Sequence, residues 1–135
     1  MMNKKKGFTL TEILIVVVLL AILAAFVLPR FMKQDERGIV AEAVANLSAI
    51  RMGEESYHLE KSAYLDMDTT VAGDDAKWED IGLDKPDTRN FDYMVVSGVS
   101  TATRNGGGTD YNTKTIILNT NGTWDQSASH PFKPE

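Results

Sequence analysis

Hydrophobic and polar positions divide this chain into two unlike stretches. Between Ile13 and Leu28 no charged residue occurs, whereas from Gly38 onward charges are frequent and the apolar residues become periodic. Residues 8–28 make 21 positions, which as a helix would span roughly 31 Å at about 1.5 Å per residue, close to the ~30 Å of a bilayer core. Beyond Pro29, Val40, Ala43, Val44, Leu47, Ile50 and Tyr57 recur at helical spacing, with Glu42, Arg51, Glu54 and Glu55 expected on other faces. Residues 29–61 therefore read as an amphipathic helix whose apolar stripe packs on a sheet. Pro29 removes a helix hydrogen bond and crowds the carbonyl of Ala25. Because the helical period resumes after it, a kink within one long helix fits better than a stop. Gly38 and Gly53 weaken that helix by about 1 kcal/mol each relative to alanine, and either is a place for it to bend.

Residues 62–90 form a connector rich in Asp, Thr and Gly, with a short helix expected over 75–81 and ended by Gly82. Trp78, Ile81 and Leu83 are its expected anchors to the core. Further on, Phe91, Tyr93 and Val95 alternate with Asp92, Met94 and Val96 as in a half-buried strand, and residues 115–118 predict a second. Asn121-Gly122, between Ile116-Ile117-Leu118 and Thr123-Trp124, is a hairpin signal, and residues 105–108 predict a looser turn. The fold class expected is α+β: a long N-terminal helix packed on a small antiparallel β-meander. Beyond the helix only about 70 residues remain, a size at which a lone core is marginal, so the helix must supply part of it.

Composition narrows the function classes. The absence of cysteine excludes a disulfide framework, thiolate metal sites and C-x-x-C-H haem attachment. Net charge is -5, and becomes -8 if Lys4, Lys5 and Lys6 are removed, leaving 11 basic against 19 acidic residues. Such a surface repels phosphate backbones, so no nucleic-acid partner is expected through a basic patch. Residues 66–92 hold nine acidic side chains, but the EF-hand spacing is absent, and a solvated acidic face is expected rather than a calcium site. Gly106, Gly107 and Gly108 lack the Lys-[Ser/Thr] of a phosphate loop. His58 and His130 have no ligand-spaced companions and are expected to be surface or partly buried residues. No catalytic signature is present, so neither an enzyme nor a cofactor is expected.

The first residues carry the most information. Positive charge at Lys4, Lys5 and Lys6 before the apolar run keeps the N-terminus cytoplasmic. A secretory signal would have a shorter apolar region and a small-residue cleavage site; Ala24-Ala25 is the sole candidate, and Leu23 breaks its pattern. Glu12 stands one turn inside the apolar segment, where a carboxylate costs about 2.5 kcal/mol or more at the bilayer centre and less near its surface. It needs a partner, or it sits at headgroup level and reaches water.

The segment Lys6-Gly7-Phe8-Thr9-Leu10-Thr11-Glu12 resembles the prepilin cleavage and methylation motif of type IV pilins and pseudopilins, departing from it mildly at Thr11. The resemblance implies that a prepilin peptidase cuts between Gly7 and Phe8 and methylates the new amine of Phe8. A glycine before the cut lets a protease approach the backbone closely. Glu12 then becomes the fifth residue of the product, and its carboxylate meets the amine of a neighbouring copy, holding subunits in axial register. Either charge would be costly to bury alone. The implied organisation is a leader over 1–7, a transmembrane and filament-core helix over 8–28, an amphipathic continuation over 29–61 and a globular head over 62–135. The implied partners are the peptidase, further copies in a helical homopolymer and an inner-membrane assembly platform. The precursor is expected in the inner membrane and the product in an extracellular pilus or a periplasmic pseudopilus.

Three functions follow as expectations: a structural subunit of a type IV pilus, a pseudopilin of a type II secretion system, or a signal-anchored extracytoplasmic binding module. Ala63-Tyr64-Leu65 stands where major pseudopilins carry Tyr-Pro, which favours the pilus. The lack of a cysteine-closed C-terminal loop separates the chain from many pilins.

Overall fold

The structure is a computed structural model that describes residues 7–135, the side chains of Met32 and Thr109 apart. Lys4, Lys5 and Lys6 lie outside the described residues. The described residues form two compact units, one ending at Asp35 and the other Glu36–Glu135. One helix, α1 (Leu10–Lys61), contributes to each.

In the first unit α1 is an apolar rod. From Phe8 to Phe31 every large hydrophobic side chain is exposed, and its most apolar stretch, which is long enough to cross a membrane, has no buried residue. Pro29 lies inside α1, so the helix does not stop there.

In the second unit α1 becomes amphipathic as the spacing predicts. Val40, Ala43, Leu47 and Ile50 are buried along one face, with Val44 and Tyr57 at its margins. That face packs into a core with the inward residues of a four-stranded antiparallel sheet in the order β1 (Met67–Asp68), β2 (Phe91–Val96), β3 (Val99–Arg104), β4 (Thr115–Leu118). Phe91, Tyr93 and Val95 of β2 point inward, as their alternation predicts, together with Ala102, Ile116 and Leu118. The Asn46 amide donates to the Tyr93 hydroxyl at 2.9 Å and ties helix to sheet. A short helix, α2 (Asp75–Asp80), brings Trp78 into this core, flanked by Ile81 and Leu83. The meander on a long helix is the expected α+β arrangement.

Several details depart from expectation. Glu54 was expected on an outer face, yet it is 1% exposed. The chain returning after α1 covers it, and its Oε2 accepts the Leu65 amide hydrogen at 3.0 Å. Gly53 is a contact point: a Cβ there would stand 2.5 Å from the carbonyl oxygen of Ile81. Strands β1 and β3 and the short helix α3 (Gly108–Tyr111) were not foreseen. Strand β3 follows β2 through Ser97-Gly98, both left-handed at φ 51° and 78°, the backbone of a two-residue hairpin that pairs Val96 with Val99. The Asn121-Gly122 turn does fold back, but only into a single bridge between Leu118 and Trp124. The chain beyond it covers the outer edge of β4, the Asp125 amide donating to Ile117 O and that of His130 to Thr115 O, each at 2.9 Å. The sheet edge is thereby closed to unplanned pairing.

Candidate functional site

Three of the residues that the sequence singles out lie at the start of α1, Gly7 and Phe8 just before it and Glu12 in its first turn. Gly7 has open space where a side chain would stand, and Phe8 is 84% exposed. Glu12 sits in the first helical turn, where the helix dipole favours an anion. Its Oε2 accepts the Thr9 amide hydrogen at 2.7 Å and the Thr9 hydroxyl at 2.8 Å, while the Glu12 amide donates to Thr9 Oγ1 at 3.2 Å. This is a reciprocal capping box, with Thr9 as cap and Glu12 three residues on. The expected demand of Glu12 for a partner is thus met inside the single chain, by donors that carry no formal charge. Its sequence signature is Thr9-Leu10-Thr11-Glu12, a Thr-x-x-Glu spacing. Pro29, the fourth residue singled out, lies 17 positions after Glu12 in the same helix.

The globular unit contains a second polar constellation, which sequence reasoning missed. Glu36 of α1, Arg104 at the end of β3 and His130 are all buried. Arg104 Nε donates to Glu36 Oε1 at 2.8 Å and Nη2 to Oε2 at 3.1 Å, a two-pronged ion pair, while His130 Nε2 lies 3.1 Å from Oε1. The remaining guanidinium nitrogen caps the carbonyls of Asn90 and Asn105. Burial pushes the Glu36 carboxyl upward, but Arg104 and His130 outweigh it and hold it below its ordinary range. Burial pushes His130 downward, and Glu36 only partly opposes this. The expectation that His130 is a surface or partly buried residue is therefore corrected: it is 0% exposed. Residues 36, 104 and 130 are too distant in sequence for any spacing rule to join them. His58 is remote from this group in the chain and stacks on Tyr64, with ring centroids 4.3 Å apart.

The acidic stretch over 66–92 organises its own loops. The Lys77 ammonium lies 2.9 Å from Asp74 Oδ1 and 2.9 Å from the Asp66 carbonyl. Asp74 Oδ2 accepts the Asp68 amide hydrogen, and Asp66 Oδ1 that of Ser97. A lysine thus supplies the positive charge at this cluster.

Comparison with known proteins bears on the N-terminal half. Residues 2–28 match the family described as the prokaryotic N-terminal methylation motif. Over 63 residues the chain is 41% identical to the type IV major pilin protein PilA of Myxococcus xanthus, covering 47% of this chain and 29% of that protein. It is 40% identical over 63 residues to the type II secretion system core protein G of Vibrio cholerae, covering 47% and 43%. A fimbrial protein of Pseudomonas aeruginosa is 42% identical over 59 residues, covering 44% and 38%. Across the relatives it matches, the chain spans between 29% and 50% of their length. With the methylation motif, these relatives and a long helix packed on an antiparallel meander, the chain carries a type IV pilin-like N-terminus on a pilin-like fold.

Proposed function

We propose that this chain is a structural subunit of a type IV pilus, processed between Gly7 and Phe8, N-methylated at Phe8 and polymerised through α1. The observation that carries this reading is an apolar rod with every large side chain uncovered, headed by one carboxylate inside a methylation motif. Such a surface needs lipid before assembly and other subunits after it. In the filament the new amine of one subunit pairs with Glu12 of another, replacing the neutral donors of Thr9 by a charged one. The Thr9 bonds to the carboxylate are already charge-assisted, but the amine adds a full positive charge beside it, an attraction that is strong where water is excluded, so the exchange favours the assembled state. Pro29, which leaves the Ala25 carbonyl without its helical donor, supplies the point at which the rod bends. In this reading 1–7 is the leader, 8–28 the membrane and filament-core segment, 29–61 the amphipathic continuation and 62–135 the rest of the head. The partners are a prepilin peptidase, further copies of the chain and an inner-membrane assembly platform, and the role is structural.

A second reading, a periplasmic pseudopilus of type II secretion, is favoured by the equal match to core protein G. Two experiments decide. Intact-mass analysis of protein from membranes should give a chain that starts at N-methylated Phe8; a chain starting at Phe26, or one retaining Met1, would instead indicate a signal-anchored binding module. Imaging of cells should show long surface filaments for a pilus, and only short stubs with a secretion defect on deletion for a pseudopilus. Glu12→Ala is expected to leave processing and membrane insertion intact while reducing filament yield at least tenfold; wild-type yield would falsify the register role.

A further inference from the structure

The segment after β4 ends in a strap laid along α1, next to one buried ring, that of His130. His130 is fixed from both sides. Its Nε2 faces Glu36 Oε1 at 3.1 Å, and its Nδ1 accepts the Phe132 amide hydrogen at 3.2 Å. A carboxylate only accepts and a backbone amide only donates. Together they select one species, the neutral imidazole with its proton on Nε2. A second proton has nowhere to go, because on Nδ1 it would point at the Phe132 N–H.

Phe132 packs on the core beside the Tyr111 ring, centroids 5.9 Å apart, and the Lys133 amide donates to the His130 carbonyl at 3.4 Å. The Arg37 guanidinium lies over the Phe132 ring at 5.0 Å, and the Gln126 amide donates to the Pro134 carbonyl at 3.0 Å. Beneath it, Arg37, Val40, Ala41 and Val44 of α1 line an open groove with Pro131, Phe132 and Pro134. The bond from the Phe132 amide to His130 Nδ1 is the one of these that depends on the protonation of the ring.

We propose that His130 is a proton-operated latch, and that gain of a second ring proton expels the Phe132 amide and releases residues 131–135 from α1. The groups around the ring agree with this. From α1, Glu36 favours the imidazolium. From β3, Arg104 opposes it across the same carboxylate, and so does Lys133 of the strap itself. Tyr111 of α3, Phe91 of β2 and Phe132 enclose the ring at centroid distances of 5.8, 6.2 and 6.0 Å and give the imidazolium no water. The closed state therefore holds the neutral ring below its ordinary pKa near 6.5, whereas an opened ring in water regains that value. Acid then favours opening. Closure is complete above the ordinary value and is lost as pH falls through it toward the lowered one, by roughly tenfold per pH unit for one linked proton. Opening uncovers Val40 of the buried face of α1 and Val44 at its margin.

The experiment is nitrogen-15 NMR of the detergent-solubilised full chain, following the His130 ring nitrogens and the exchange protection of the Phe132 amide between pH 7.5 and 4.5. The expected result is that Nδ1 protonation and loss of Phe132 protection share one midpoint below pH 6.5, while amides of β2 and β3 stay protected. His130→Gln, which keeps a donor toward Glu36 and does not titrate, should make strap protection independent of pH. Because the wild-type titration stands by itself, a variant that does not fold leaves the test intact. If His130 titrates while Phe132 keeps its protection, or if protection falls without any change at the ring, there is no latch. Global loss of β2 and β3 protection together with the strap would equally overturn it, showing acid unfolding instead of local release.

Discussion

At the scale of single residues, two buried carboxylates of the globular unit, Glu36 and Glu54, respond to pH in opposite senses. Arg104 and His130 hold Glu36 below the ordinary carboxylate value, so its contribution to stability is present above that value and lost as pH falls through the lowered one. Glu54 is the reverse case. Burial raises it, the Leu65 amide only partly compensates, and its Oε1 has no protein partner. Its contribution is full below the ordinary value and is lost as pH rises through the raised one. Glu54→Gln keeps an acceptor for Leu65 and removes the titration. The variant should therefore lose less of its urea midpoint between pH 4.5 and 8 than the wild type does; an unchanged slope would show that Glu54 is not the group responsible. Arg104→Met tests the other pair. It strands a buried carboxylate, for which about 3–5 kcal/mol is the usual cost. A thermal melt of Arg104→Met should fall by many degrees, and the added change Glu36→Leu should restore part of it, since the stranded charge is what costs. No restoration would mean that the loss came from the guanidinium's bonds to Asn90 and Asn105.

At the scale of elements, two glycines of α1 look alike in sequence and differ in space. Gly38 has open space around its missing side chain, so Gly38→Ala should stabilise the subunit by up to about 1 kcal/mol through helix propensity. Gly53 is pressed against the Ile81 carbonyl, and Gly53→Ala should cost about 1–3 kcal/mol through overpacking despite the same propensity gain. Opposite shifts in melting temperature are the expected readout, and a stabilised Gly53→Ala would show that the α2 connection yields easily. These glycines also mark what was legible. The helix, its buried stripe, α2 and the alternation of β2 follow from periodicity, which reports burial on one element at a time. Strand β3 reads Val-Ser-Thr-Ala-Thr-Arg, small and polar, and is a strand because partners on both sides take its backbone hydrogen bonds. Its local signal was the Ser97-Gly98 turn between two valines. Glu54 falls on the buried period of α1, four residues after Ile50 and seven after Leu47, so spacing places it on the inner face although its charge argues for solvent; the Leu65 amide supplies the hydrogen bond that burial there requires. The pairing of Glu36, Arg104 and His130 is a product of tertiary closure across 94 positions of sequence. The methylation motif was legible because its information is local; the Thr9–Glu12 capping box and the Ser97-Gly98 turn are local signals of the same kind.

At the scale of the whole molecule, the two units divide the physical tasks between them. Residues 36–135 contain all of the buried core, including the ion pair and the strap, whereas no large apolar side chain over 8–31 is buried in the chain. Removal of residues 1–28 therefore takes away no core contact and leaves α1 with a turn and more ahead of Glu36. A chain beginning at Pro29 is expected to be soluble without detergent, monomeric in sedimentation, and to melt in one cooperative transition near that of the full chain in detergent. Proline is well tolerated in the first turn of a helix, where its missing amide hydrogen would have had no acceptor. On the proposed pilus function, the same truncation should abolish incorporation into filaments when expressed with the wild type, because the apolar rod and Glu12 are gone. A fragment that aggregates or melts without cooperativity would mean that the head draws stability from the apolar segment. That outcome would move the boundary between scaffold and assembly device from Asp35 toward the N-terminus, and with it the account of why the exposed rod is tolerated.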